Sequence, residues 1–131
     1  MPFPVEDQYI DKAESELGAK LPESYRLKIK AENGGELPTD DDDWILHPIF
    51  DTSDRKRIAR TANHVVLETR NARQWQGFPE GAMCIADNGS GDKLVLLRDG
   101  YSFGDAVFVW WHETGALKRI ADSLGELIEV E

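Results

Sequence analysis

The chain has 131 residues, of which 40% are hydrophobic and 31% are charged, and its formal net charge is −10. These values are typical of one folded, soluble domain; they argue against a disordered chain, and no apolar run is long enough to cross a bilayer. The acidic excess argues against direct binding to nucleic acid, whose phosphates require cations, and favours a basic protein partner.

The N-terminal residues and the cysteine content predict the cellular compartment. The first residues have neither the basic start nor the apolar core of a signal peptide, and we expect no membrane attachment. Cys84 is the only cysteine, so an internal disulfide is impossible, and its apolar neighbours predict an inert, buried thiol. Both observations favour a cytoplasmic protein.

The N-terminal residues are predicted to form two helices. Apolar side chains recur at helical spacing over residues 6–17, and Gly18 is placed to end that helix. Pro22 marks the start of the second helix, because proline is tolerated in the first turn. The second helix is expected to end at Gly34 and Gly35, a glycine pair that we predict forms a structural turn.

A run of four aspartates follows the second helix: Asp40, Asp41, Asp42 and Asp43. Calcium-binding loops place their ligands at alternate positions and need a glycine for a sharp turn, so this run does not match them. Three interpretations remain open: a solvated acidic loop, an acidic patch that meets a basic partner, and a metal site. Residues 44–50 are then predicted to form a strand that ends near Pro48.

Asp54 is predicted to cap the N-terminus of a long third helix, with an apolar stripe that continues as far as Thr69. Its first turns are rich in cations, namely Arg55, Lys56, Arg57 and Arg60. Cations at this end oppose the helix dipole, so we expect them to pair with the aspartates of residues 40–43. A phosphate site is the alternative, but neither a glycine loop nor interleaved aromatic residues support it.

The centre of the fold is predicted to be a β-hairpin. Two apolar runs, residues 82–86 and 94–97, flank a glycine-rich turn over residues 88–92. The second run is apolar throughout, so both faces of that strand should be covered, as in the middle of a sheet. Gly91 and Asp92 are assigned structural roles in the turn, with Asp92 fixing it through hydrogen bonds to the backbone.

Residues 106–111 give the strongest prediction of a strand, because they are rich in β-branched and aromatic side chains. Trp110 and Trp111 are adjacent in it and therefore point to opposite faces. Two arrangements remain open: one indole is sheltered by helices while the other lines a cleft or contact surface, or both indoles pack in a core with two faces. Ser123 and Glu126 match the spacing of a capping box, which predicts a short last helix.

The sequence contains no recognisable catalytic motif. Its histidines, at His47, His64 and His112, lack the paired spacing of a helical metal site. The glycine-rich turn fits neither a phosphate-binding loop nor the nucleophile turn of hydrolases, both of which need another spacing and a following helix. We therefore expect no catalytic residue, no cofactor and no metal ion.

A set of short motifs runs in order along nearly the whole chain: Glu14-x-x-Leu17-Gly18, Leu21-Pro22-x-x-Tyr25, Asn33-Gly34-Gly35, Phe78-Pro79, Ile85-Ala86-Asp87, Gly91-Asp92, Trp111-His112-Glu113 and Ala121-Asp122-Ser123-Leu124. In this order the motifs resemble the signatures of the SUKH superfamily, which includes bacterial immunity proteins and the fungal Knr-type regulators of cell-wall synthesis. Two positions depart from the family pattern: Lys28, where members often carry a bulky apolar residue, and Gly125 in the last helix.

The resemblance implies a single α+β domain over residues 1–131, with a central antiparallel sheet of about four to six strands. The N-terminal helical pair, a middle helix and a C-terminal helix would pack on this sheet. The resemblance also implies an immunity protein of a bacterial polymorphic toxin system, which binds its cognate toxin, for instance a nuclease, and blocks it without catalysis. The alternative is a regulatory scaffold module that recognises a peptide or a small polar ligand.

Candidate contacts with such a toxin follow from charge and aromatic content. The aspartates of residues 40–43 would steer a basic toxin toward the surface. An exposed Trp44 or Trp111 would be buried at the interface as an anchor, with Glu113 beside it. The expected partner is therefore a basic toxin protein, and we expect the chain itself to be a monomer or a weak homodimer.

Overall fold

The structure, a computed structural model, describes residues 3–39 and 42–129, with side chains described up to residue 127 of the last helix. Within these ranges the chain forms five helices and six strands. The helices are α1 Asp7–Leu17, α2 Glu23–Ala31, α3 Arg55–Arg60, α4 Val65–Ala72 and α5 Leu124–Glu129. The strands are β1 Gly35–Pro38, β2 Asp43–Leu46, β3 Met83–Asp87, β4 Lys93–Asp99, β5 Ser102–Trp110 and β6 Leu117–Ala121.

The described strands form one antiparallel sheet in the order β1-β2-β3-β4-β5-β6, so each strand pairs with its neighbours in sequence. The hairpin of β3 and β4 occupies the middle of this sheet, as predicted from the sequence. Helices pack on the sheet, and the expected α+β architecture is confirmed. No helix in the described ranges is long and apolar enough to span a membrane.

Strand β4 is covered on both faces. Leu94 and Leu96 are buried in the main core, which also contains side chains of α1 such as Ile10. Val95 lies between them and contributes to a smaller buried cluster with Trp110. Because successive side chains of a strand point to opposite faces, these two clusters lie on the two sides of the sheet. The predicted two-faced burial of this strand is confirmed.

A hydrogen bond next to a β-bulge in β3 connects this strand to α4. The pairing of β3 with β4 shifts register between Cys84 and Ala86. The Cys84 N–H donates to Thr69 Oγ1 of α4 at 2.9 Å, and both residues are fully buried. Burial raises the pKa of the Cys84 thiol to about 12, so this cysteine is an uncharged core residue at neutral pH. The predicted burial of this thiol is confirmed.

Glu14 holds the end of α1 against the start of α2. Gly18 ends α1 with a φ of 77°, in the predicted left-handed conformation. The buried carboxylate of Glu14 accepts the Leu21 N–H at 2.7 Å and pairs with Arg26 at 3.0 Å. A buried carboxylate is tolerated only when it is paired and hydrogen-bonded, and these two partners meet that condition. The N-terminal motif that contains Glu14 therefore marks the connection between α1 and α2.

Lys28, one of the departures from the family pattern, caps the C-terminus of α2. Its ammonium group donates to the carbonyl oxygens of Glu32 and Gly34, each at 3.0 Å. A cation at this end complements the helix dipole, and only 14% of the side chain is exposed, so the aliphatic stem is packed. Gly34 and Gly35 follow with φ values of 107° and 100°, which confirms the predicted turn.

The predicted long third helix is wrong, because the structure divides it into α3 and α4. Asp54 caps α3 as expected and accepts the Arg57 N–H at 2.8 Å. Helix α3 buries no residue, and α4 begins after His64, whose side chain caps it. The Val65 N–H bonds to the Pro48 carbonyl oxygen instead of continuing the first helix. The apolar stripe therefore belongs to two helices.

The strand predicted for residues 44–50 is shorter in the structure, where β2 covers only Asp43–Leu46. The Asn33 side chain then clamps Ile49, accepting its N–H at 2.7 Å and donating to its carbonyl oxygen at 2.8 Å. These bonds take the place of strand pairing just beyond Pro48, which lacks an N–H. The sequence does not predict β1 and β6, because β1 is very short and β6 is mostly exposed and contains two adjacent charged residues.

Candidate functional site

Three loops lie at the same end of the sheet, since alternate hairpin turns of an antiparallel meander fall on the same side. They are the β1–β2 loop (described at residues 39 and 42), the β3–β4 loop (residues 88–92) and the β5–β6 loop (residues 111–116). The pairing of Ile45 with Asp87 places the start of β2 beside the end of β3. We call this end of the sheet the acidic end, after the carboxylates on these loops and the adjoining strand ends: Asp42, Asp43, Asp87, Asp92 and Glu113.

Hydrogen bonds connect the three loops. The Asn88 amide donates to Asp42 Oδ2 at 2.6 Å and to Asp92 Oδ2 at 3.2 Å. The other oxygen of Asp92, Oδ1, accepts the His112 N–H at 3.2 Å and lies 2.8 Å from His112 Nδ1. The predicted role of Asp92 in fixing the turn needs one correction: the backbone N–H that it accepts belongs to the neighbouring β5–β6 loop.

Gly91, Asp92 and His112 form one structural unit. Partial burial raises the pKa of the Asp92 carboxyl, but the hydrogen bonds from His112 outweigh this effect, so the pKa lies below its ordinary value. Gly91 has a φ of 103°, and a Cβ added there would lie 3.0 Å from the His112 ring. Glycine is therefore required on both conformational and steric grounds. The contact between Asp92 and His112 was not predicted from the sequence.

Two partly exposed indoles border the acidic end. Trp111 is 36% exposed, whereas the adjacent Trp110 is fully buried and its Nε1 donates to the Gly77 carbonyl oxygen. Of the two arrangements left open by the sequence, the one with both indoles packed in a core is excluded, and Trp110 is covered by Trp75 and Phe78 of the segment after α4 and not by a helix. Trp75 is 44% exposed and stands edge-on to His112, with ring centroids 5.3 Å apart. Trp75 is not among the residues predicted from the sequence to contact a partner, although its polar sequence neighbours mark an indole outside the core.

Trp44 does not belong to this surface. It is 3% exposed and packs in the main core, so it cannot act as the exposed anchor that the sequence suggested. Side chains alternate along β2, and the exposed apolar residue is its neighbour Ile45, at 53% exposure. The prediction of Trp44 as an exposed anchor is therefore wrong, because the next residue, Ile45, lies on the exposed face of β2.

The aspartate run is described in part. Asp40 and Asp41 lie outside the described residues. Asp42 Oδ1 accepts the Asp43 N–H at 2.9 Å, at the point where the chain enters β2. Asp43 is exposed. The described half of the run thus combines one hydrogen-bonded carboxylate with one that faces solvent.

The cations of α3 lie near the other end of the β1–β2 hairpin, where Gly35 pairs with Leu46. Arg57 pairs with Asp54 at 2.6 Å and with the buried Asp51 at 3.7 Å. The expected pairing with the aspartate run is therefore wrong for Arg57. Arg57 is thus paired with carboxylates of its own segment, and α3 lies at the end of this hairpin opposite the acidic end.

Comparison with known families agrees with this fold. The model of the SMI1/KNR4 family (SUKH-1) matches residues 4–130, a range that includes every described helix and strand. The chain belongs to the SMI1/KNR4 family (SUKH-1). The SUKH resemblance of the motifs is thereby confirmed. No curated protein matches this SUKH-1 chain.

The acidic end of this SUKH-1 chain combines carboxylates with partly exposed indoles. Its carboxylates attract cations, and its partly exposed indoles have apolar area that a partner can cover. Among the described residues, no group of three or more His, Cys, Asp or Glu side chains is arranged to hold a metal ion. His47 Nε2 lies 3.4 Å from Asp87 Oδ2, but burial lowers the pKa of His47 to about 4, so the ring is neutral at pH 7.

Proposed function

We propose that this SUKH-1 chain is an immunity protein, which binds a cognate bacterial toxin in the cytoplasm and neutralises it by covering its functional surface, without catalysis. The occurrence of bacterial immunity proteins in the SUKH superfamily supports this role. The observation that carries the proposal is that loops linked by hydrogen bonds bring several carboxylates and the partly exposed Trp111 to one end of the sheet.

The charge of the acidic end fits a basic toxin. Two loops at this end of the sheet carry the carboxylates: Asp42 and Asp43 lie where the β1–β2 loop meets β2, and Glu113 lies in the β5–β6 loop. The net charge of the whole chain is −10. A toxin that cleaves nucleic acid has a basic site, because it must hold phosphates. Complementary charge raises association rates to as much as about 10⁸–10⁹ M⁻¹s⁻¹ at low salt. A nuclease is therefore the kind of toxin that suits this surface.

Trp75 and Trp111 would each supply an apolar anchor beside the acidic end, since tryptophan is enriched among the residues that dominate binding energy. Each retains exposed area, 44% and 36% respectively, that a toxin can bury. A standard interface covers about 800 Å² on each partner. That is about a tenth of the 7483 Å² surface of this chain.

Co-expression with the product of the neighbouring gene tests the proposal. We expect a stable complex with one copy of each protein, and protection of cells from that product. Trp111→Ala should weaken the complex at least about tenfold if this indole is a hot spot. Leu27→Ala is the matched control, because Leu27 is also an exposed apolar residue, at 63%, but lies on α2. Absence of a complex, or equal affinities of the two variants, would contradict the proposal.

The second candidate is a regulatory scaffold module that recognises a peptide or a small polar ligand. A cleft beside α3 is the observation that favours it. A toxin gene immediately upstream supports the immunity role, whereas a solitary gene beside signalling or envelope genes supports the scaffold role.

A further inference from the structure

The chain contains two Asn-Gly pairs, Asn33-Gly34 and Asn88-Gly89. Such a pair is chemically labile, because glycine has no Cβ to hinder the attack of its own backbone nitrogen on the asparagine side-chain carbon. The new nitrogen–carbon bond closes a succinimide ring, and the side-chain nitrogen leaves as ammonia with the proton of the glycine N–H. Water then opens the ring at one of its carbonyl carbons and leaves an aspartate or an isoaspartate. The reaction therefore consumes water and converts a neutral amide into a carboxylate.

The fold protects the first of these pairs. Asn33 is 8% exposed, and its side chain accepts the Ile49 N–H at 2.7 Å and donates to the Ile49 carbonyl oxygen at 2.8 Å. Ring closure would have to break both bonds and leave the fully buried backbone of Ile49 without partners. Reaction at Asn33 therefore requires this region to unfold first.

The second pair lies in the β3–β4 loop, where its surroundings favour the reaction. Asn88 is partly exposed, and Gly89 and Ser90 are exposed, so water reaches the pair. The Gly89 N–H donates to Asp87 Oδ1 at 3.0 Å, and the Ser90 N–H donates to Asn88 Oδ1 at 2.9 Å. A carboxylate beside the attacking N–H can accept its proton. An N–H bonded to the side-chain oxygen stabilises the negative charge that develops there during the attack.

The Asn88 amide is also a hydrogen-bonded link across the acidic end. It donates to Asp42 Oδ2 at 2.6 Å and to Asp92 Oδ2 at 3.2 Å. An ionised carboxylate in its place has no proton to donate and would face two like charges. Deamidation would therefore replace two attractive contacts with repulsion between the β1–β2 loop and the β3–β4 loop.

We propose that Asn88 is a deamidation site of the folded chain, and that its conversion to aspartate or isoaspartate loosens the acidic end. Asn33 is the protected counterpart, with the same following residue in the same chain. The reaction and the loosening do not depend on what the protein binds, whereas their effect on toxin binding rests on the proposed immunity function.

Ageing of the full chain at mildly alkaline pH, followed by peptide mapping with mass spectrometry, tests the site. In the folded chain the mass increase of deamidation should accumulate at Asn88 at least about tenfold faster than at Asn33, which reacts only through local unfolding. In urea above the unfolding transition, both pairs should react at similar rates, because neither is held. Equal rates at the two pairs in the folded chain, or reaction at Asn88 only in urea, would overturn the proposal.

The variant Asn88→Asp reproduces the aspartate product, and Asn63→Asp adds the same charge at an exposed residue just before α4. At neutral pH, Asn88→Asp should lower the midpoint of urea unfolding and shift the backbone amide signals of Asp42 and Asp43, whereas Asn63→Asp should do neither. The loss should shrink in acid, where the new carboxyl carries a proton that it can donate. Equal midpoints for the two variants, or unchanged signals of Asp42 and Asp43, would overturn the proposal.

Affinity for the product of the neighbouring gene separates this proposal from the proposed function. Asn88→Asp should bind that product several-fold more weakly than Asn63→Asp does, although both variants carry the same added charge. Equal affinities of the two variants would refute the effect of deamidation on recognition. Absence of binding by the wild type would refute the immunity function alone, because peptide mapping and urea unfolding decide the modification without a partner.

Discussion

Replacement of Asp92 by alanine would break the link between two loops of the acidic end. Its carboxylate can only accept hydrogen bonds. It accepts three: one from the His112 backbone N–H, one from the Nδ1–H of the His112 ring and one from the Asn88 amide. A hydrogen bond to a charged group contributes about 1.5–3 kcal/mol. The side chain is 19% exposed, so water replaces part of this contribution, and bonds to one carboxylate are not additive. We expect the free energy of unfolding to fall by about 2–3 kcal/mol.

Urea unfolding at neutral pH measures this change, with Asp99→Ala as the matched control. Asp99 is exposed and ends β4 at the opposite end of the sheet, so its loss should change the free energy of unfolding by less than about 0.5 kcal/mol. A double-mutant cycle of Asp92→Ala with His112→Ala should show a coupling of about 1 kcal/mol or more. Equal costs for Asp92→Ala and Asp99→Ala, or additive effects in the cycle, would refute the reasoning.

The pH dependence gives a second readout for Asp92. Its pKa in the folded chain lies below the ordinary value of 3.8, so the unfolded chain binds this proton at a higher pH than the folded chain does. The stabilising contribution is therefore fully present above pH 3.8 and is lost as the pH falls below it. The stability difference between the wild type and Asp92→Ala should be constant near neutral pH and should shrink in acid.

Three further predictions concern the turn, the bulge and a buried histidine. Gly91→Ala should lower the free energy of unfolding by about 1–3 kcal/mol, because alanine is strained at a φ of 103°; an unchanged thermal melting temperature would contradict this. Thr69→Val should cost about 1–3 kcal/mol in urea unfolding, because the buried Cys84 N–H loses its acceptor, and a cost typical of a surface substitution would exclude that role. Burial lowers the pKa of His47 from 6.5 to about 4, so the unfolded chain binds a proton in this interval that the folded chain does not. Stability should then fall by up to about 3 kcal/mol as the pH drops through this interval, and His47→Gln should flatten the dependence measured by unfolding at several pH values.

Some elements of the fold could be predicted from the sequence because a local residue type marks their ends. Gly18 ends α1, Asp54 caps α3, and the glycine-rich segment at residues 88–92 turns the central hairpin. The break between α3 and α4 could not be predicted in this way. It depends on the cap formed by His64 and on a bond to the Pro48 carbonyl oxygen, which only the folded chain brings close.

Only the residue types of the acidic end could be predicted from the sequence, and not their arrangement. The carboxylates and Trp111 are visible in the sequence, but their convergence follows from the strand order, which sequence patterns do not determine. The bond from Asn88 to Asp42 joins residues 46 positions apart, and the contact of Asp92 with His112 joins residues 20 positions apart. Neither spacing corresponds to a local motif, so these links appear only when the sheet is assembled.

The association rate with the product of the neighbouring gene tests the central claim most directly. The double variant Asp43→Asn/Glu113→Gln removes two exposed carboxylates from the acidic end, and Asp99→Asn/Glu80→Gln removes the same two types from exposed positions at the opposite end. We predict that the first variant associates roughly several-fold more slowly than the wild type at low salt, that the control is much less affected, and that high salt removes the difference. Equal association rates for the two double variants at low salt would contradict recognition through the acidic end.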